Sequence, residues 1–205
     1  YTEEGIRLMA QGDPKRGLAY LTRAVSLQPG HPLTCCNLAR AQADVGQIDE
    51  ALQTLAAAVQ AAPDEYEPYD LAAMLLARVG QIEAAAEQWR NALRLRPDHL
   101  PAINNLGSAL LMLSDPAGAL SQFERACQMD PRNVLALYSR GVALNALGRP
   151  AEAQPGFEAA LALRPEMVEA RFGLGQARER LGDHAAAAAA YQMVLQQRPD
   201  FVAAR

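Results

Sequence analysis

Half of the 205 residues are apolar and only 5% are aromatic, so the core of this chain is built from Ala and Leu rather than from large rings. That apolar content excludes a disordered chain, and a formal charge of −4 with no basic stripe excludes the usual nucleic-acid binder. No apolar run is long enough to cross a bilayer as a helix, so no membrane insertion is expected.

Lys15 is the only lysine among 19 basic residues, an arginine skew that fits a GC-rich bacterial genome. Three cysteines, two of them adjacent at Cys35 and Cys36, read as unpaired thiols in a reducing compartment, and the cytoplasm is the expected location. The chain starts at Tyr1 without a methionine and reads as a piece of a longer protein, with any leader or anchor outside it.

Prolines stand at Pro29, Pro63, Pro97, Pro131, Pro165 and Pro199, each 34 residues after the last. A helix-breaking residue at a fixed interval marks one supersecondary unit, repeated and stacked. Residues 1–31 hold a partial repeat whose second helix (helix B) is predicted near 14–27, after Asp13 and Pro14. Full repeats follow at 32–65, 66–99, 100–133, 134–167 and 168–201, with 202–205 opening a seventh helix A. Helix A is predicted near 32–45, 66–79, 100–113, 134–147 and 168–181. Helix B is predicted near 49–61, 83–95, 116–129, 150–163 and 184–197, and the whole of 1–205 reads as one domain.

The turns between the helices carry their own chemistry. Gly12, Gly46, Gly80, Gly148 and Gly182 stand where helix A ends, and Ser114 replaces the glycine of the fourth turn. Asp13-Pro14 and Asp115-Pro116 put a capping acid before a proline at the first helical position, whereas Pro150 follows Arg149. Pro155 falls within the first turns of its helix, with room for a slight bend.

Aligned on the prolines, one unit keeps Ile103, Leu106, Gly107 and Leu110, then Ala119, Phe123 and Ala126, then Pro131. The next repeats Gly141, Gly148, Ala153, Phe157, Ala160 and Pro165; the one before has Gly80, Ala85, Trp89, Ala92 and Pro97. The last full unit has Leu174, Gly175, Gly182, Ala187, Tyr191 and Pro199. This pattern resembles the tetratricopeptide repeat, whose period is about 34 residues. The small residues at the eighth and twentieth positions let helices A and B approach closely, and the aromatic at the twenty-fourth fills the space between units. Gly17 departs from the pattern, as do Arg140, Arg171 and Arg178 at positions that are apolar in the family. Those arginines suit either local looseness or an interface with a missing neighbour.

The resemblance implies an all-α fold, a right-handed superhelical α-solenoid of antiparallel helix pairs, with helix A lining a concave face that takes an extended peptide or a partner helix. Its inward positions include Asn37, Arg40, Met74, Arg78, Asn104, Asn105, Ser108, Met112, Tyr138, Asn145 and Phe172. Asparagine can donate to and accept from a main chain, and Met112, Tyr138 and Phe172 suit apolar anchors. The lysine clamp of chaperone-binding members is absent, since Lys15 belongs to helix B. The asparagine ladder of O-linked N-acetylglucosamine transferases is matched at Asn37 and Asn105 but not at Leu71, Ser139 or Gly173.

No enzyme and no cofactor is expected. His31, Cys35 and Cys36 lie together, but a structural zinc needs four ligands, and His99 is two repeats away. A cysteine nucleophile would need an oriented base and an oxyanion site, and neither is apparent. The glycines are single and periodic, unlike a phosphate loop. The sequence therefore reads as a non-catalytic protein-interaction scaffold with a protein or peptide partner. The alternatives are a substrate-recruiting arm of a larger transferase, and a secretion or assembly adaptor that associates end to end.

Overall fold

The computed structural model describes residues 1–201, and the expected start of a seventh helix at 202–205 lies outside the described residues. Twelve helices and no strand occur among the described residues. They are α1 Thr2–Ala10, α2 Pro14–Leu27, α3 Pro32–Asp44, α4 Ile48–Ala61, α5 Glu67–Arg78 and α6 Ile82–Leu95. The others are α7 Leu100–Met112, α8 Pro116–Met129, α9 Val134–Ala146, α10 Pro150–Leu163, α11 Val168–Arg180 and α12 His184–Gln197. Contacts divide the chain within α7 into two compact units, Tyr1–Ala102 and the part from Ile103 on.

In the first unit, α1 packs on α2, α3 on α4 and α5 on α6, while helix A of each repeat also meets the next helix A. In the second unit, α9 pairs with α10 and α11 with α12, and α9 meets α11. The twentieth position is fully buried Ala51 and Ala85 in one unit and Ala119 and Ala153 in the other. A larger side chain there would push the paired axes apart.

Each turn after helix A needs a left-handed residue. Gly12, Gly46, Gly80, Gly148 and Gly182 have φ between +71° and +85°, and Ser114 takes the same turn at +59° with a side chain that disfavours it. Helix B is then capped locally. Asp13 accepts from the Arg16 amide at 3.2 Å, Asp115 from Gly118 at 2.9 Å and Asp183 from Ala186 at 3.1 Å. Arg149 has no capping side-chain bond and instead pairs with Glu152, its Nε donating at 2.7 Å. Pro155 lies inside α10, which continues through it.

Aromatic residues at the twenty-fourth position are matched to glycines. Phe157 is fully buried, with the Gly141 backbone against its ring and that of Gly173 equally close. A methyl group added at either glycine would lie under 3 Å from the ring. Burying a phenylalanine contributes roughly 1.5–3 kcal/mol, and here the two glycines make room for it. Gly173 therefore stands in the asparagine-ladder position because the neighbouring ring occupies that space.

Two of the family departures, Arg171 and Arg178, make side-chain hydrogen bonds. Arg171 on α11 donates through Nη2 to the Pro165 carbonyl, and Tyr69 on α5 donates to the Pro63 carbonyl at 3.2 Å. Both stand six residues after a punctuating proline and satisfy its carbonyl. Arg178 reaches Glu158 on the adjacent α10 at 3.3 Å.

Candidate functional site

Three cavities cluster on the helix-A face of the first unit, and Arg40 lines all of them. One of about 210 Å³ adds Asn37, Asp44 and the apolar Ile6 and Met9. A second of about 250 Å³ adds Leu33, Cys36, Glu65 and Glu67. The third, also about 210 Å³, adds Asp70, Met74 and His99. Arg40 is exposed and makes no hydrogen bond or ion pair among the described residues, whereas the acids around it give this face a mixed charge.

Asp70 is held from two sides. Its Oδ1 accepts from Trp89 Nε1 at 3.1 Å, and its Oδ2 lies 3.3 Å from His99 Nε2. The His99 ring rests on Tyr66 with centroids 5.0 Å apart, and the Arg96 guanidinium lies 4.8 Å above the Tyr66 ring. This network ties α5 and α6 to the start of α7, so Asp70 is a wall of the cavity rather than a free carboxylate.

In the second unit, a cavity of about 310 Å³ brings together Tyr138 and Asn145 from α9 with Phe172 and Gln176 from α11. Tyr138 packs against Phe157 with centroids 6.0 Å apart. Burial, and then the charge of Glu169, pushes the Tyr138 hydroxyl above its ordinary range, so it stays a neutral phenol.

The other sequence-selected residues fall differently. Met74 and Met112 are exposed at 48% and 67%. Asn105 is half-buried, and the exposed Ser108 donates to the Asn104 carbonyl at 3.0 Å. Asn104 itself is 7% exposed, which takes it off the open surface. Arg78 donates through Nη2 to the Ala43 carbonyl at 2.7 Å, and Arg180 donates to the Asn145 carbonyl. Each of these arginines satisfies a carbonyl near the C-terminal end of the preceding helix A, where a cation is favoured. The thirteenth helix-A position thus serves as an inter-repeat tie when it holds arginine.

The thiols and histidines do not form a reactive site. Cys36 is 1% exposed and burial pushes its thiol up to about 11, so it remains protonated at neutral pH. The His31 Nδ1 accepts from the Thr34 amide at 3.4 Å as a helix cap. No cluster of His, Cys, Asp and Glu suited to a metal occurs among the described residues. No helix among them is long and apolar enough to cross a membrane.

A model of the tetratricopeptide repeat matches residues 71–134, 104–154 and 138–200, and a second of the same description matches 8–79. The chain belongs to the tetratricopeptide repeat family. YrrB, a TPR protein with an unusual peptide-binding site, is 21% identical with a TM-score of 0.82, over 90% of this chain and 95% of that one. A MamA crystal structure is 20% identical with a TM-score of 0.77, covering 82% and 92%. A tetratricopeptide repeat protein from Parabacteroides merdae is 21% identical with a TM-score of 0.78, covering 95% and 77%. These likenesses show the fold. No curated protein matches the sequence.

Proposed function

We propose that this tetratricopeptide repeat array is a non-catalytic protein-interaction scaffold that binds an extended peptide segment along its helix-A faces. The carrying observation is the pairing, in each unit, of surplus apolar side chains with polar atoms that have no internal partner, Arg40 in one and Asn145 Oδ1 in the other. Leu33 and Met74 are 62% and 48% exposed beside unpaired Arg40, and Leu135 is 51% exposed on the α9 that carries Tyr138 and Asn145. Apolar pockets with a few convergent polar groups suit a segment that presents side chains and main-chain amides together. YrrB, alike in fold, has a peptide-binding site, which supports a peptide ligand for this chain as well.

The test is selection of linear peptides from a phage-displayed random library on the full chain, followed by titration of the synthetic peptides. Arg40→Ala with Met74→Ala, or Tyr138→Ala with Phe172→Ala, weakens binding at least about tenfold if these faces make the contacts, with helicity unchanged. Equal affinity for both double variants and the parent chain contradicts the assignment.

A further inference from the structure

Asn145 stands in the last turn of α9 and is 7% exposed. Its Nδ2 donates to the Gly173 carbonyl at 3.1 Å, while its Oδ1 is buried without a partner. The Gly173 carbonyl fixes which end of the amide faces it, because the reversed amide would set two acceptors against each other. A buried acceptor with no protein partner is costly, and where it also lines a cavity it offers a place for an incoming donor.

Asn145 lines the 310 Å³ cavity of the second unit. Around it stand the half-buried Tyr138 and Phe172 rings and Gln176, whose amide makes no hydrogen bond among the described residues. The charged groups on its wall already have partners. Arg180 donates to the Asn145 main-chain carbonyl, and Glu169 accepts from Arg198 Nη1 at 2.9 Å. What remains open is neutral: one buried amide acceptor, one free amide and two aromatic rings. That set matches a peptide unit, whose N–H and carbonyl need an acceptor and a donor, next to an uncharged side chain.

We propose that this cavity is a subsite for one peptide unit of an extended ligand, in which Asn145 Oδ1 accepts a main-chain N–H. Gln176 then meets a neighbouring carbonyl, and an uncharged apolar side chain lies against Tyr138 and Phe172. The subsite rests on the reading of the helix-A faces as peptide surfaces, and it adds the atom that recognises the main chain.

The test removes the donor from the ligand and leaves the protein intact. A linear peptide selected from a random phage library on the full chain is resynthesised with each main-chain amide replaced in turn by an ester. Chemical-shift mapping is expected to place the parent peptide at Tyr138, Asn145 and Phe172. One ester position should weaken Kd about fivefold, and that loss should shrink below about twofold on Asn145→Ala. A flat ester scan, or shifts confined to α1–α6, overturns the subsite and leaves the wider peptide reading standing. Failure of the library to yield any binder for the chain overturns both.

Discussion

Phe157 has no free side, and that makes the second unit sensitive to single methyl groups. A Cβ at Gly173 would lie 2.6 Å from Phe157 Cε1 and 2.7 Å from its Cζ; at Gly141 the same atoms would be 2.8 and 2.9 Å away. Ordinary carbon contacts are about 3.5–4.0 Å, so the ring would have to retreat by about 1 Å. The ring is fully buried, so it has no open space to retreat into. Overpacking of this kind costs about 1–3 kcal/mol, while Gly→Ala in a helix returns roughly 1 kcal/mol of propensity. Gly173→Ala and Gly141→Ala are each expected to destabilise by about 1 kcal/mol, and the double variant by more than their sum. Guanidinium chloride unfolding followed by circular dichroism, compared at constant m, measures the change. In a Phe157→Leu background the ring edge is gone, and the same two alanines should become neutral or stabilising. A double alanine variant that is more stable than the parent with Phe157 in place would refute the close packing.

Other perturbations have equally definite signs. Ser114 is the only non-glycine with positive φ among the described residues, so Ser114→Gly should stabilise by about 1 kcal/mol, read as a rise in unfolding midpoint. Arg78→Met removes the bond to the Ala43 carbonyl and should speed amide hydrogen exchange at the end of α3, with a stability loss of about 0.5–1 kcal/mol. A loss of peptide affinity with exchange unchanged would instead give Arg78 a ligand contact in place of the structural role. Cys36 has a folded thiol pKa raised from the ordinary value of 9.0 to about 11, so its contribution is complete below 9 and is lost as pH rises toward 11. Unfolding free energy should therefore fall across that window, and Cys36→Ala should flatten the fall. In native thiol labelling, half-buried Cys127 should react before Cys35 and Cys36.

The 34-residue proline register places the helices well because each signal is local. Proline stops helix B, a left-handed glycine stops helix A, and alanine marks the face where two axes meet. Helix A ends at Asp44, Arg78 and Met112, one residue before the expected bound, since the residue preceding each turn glycine or serine has already left the helix. The proposed binding face is less legible, because its chemistry depends on what the next repeat presents. Asn104 and Asn105 are adjacent polar residues in sequence, yet one is buried and the other half-exposed. Arg40 and Arg78 are both arginines at inward helix-A positions, the ninth and the thirteenth, but Arg78 finds a carbonyl from α3 and Arg40 finds none. Tyr69 and Arg171 reach proline carbonyls in the preceding turn, a use of the fourth helix-A position that no spacing announces. The buried, half-satisfied amide of Asn145 could be found only once Gly173 was placed beside it.

Site-specific photo-crosslinking in cells tests most directly that helix A is the working face. A photoreactive amino acid is placed at exposed Met74, Met112 or Leu135 on helix A, and at exposed Arg90 or Gln192 on helix B. The helix-A positions are expected to crosslink an extended segment of a partner protein, mapped by mass spectrometry, and the helix-B positions are expected to give none. Crosslinks from Arg90 and Gln192 with silence at Met74, Met112 and Leu135 would contradict the account.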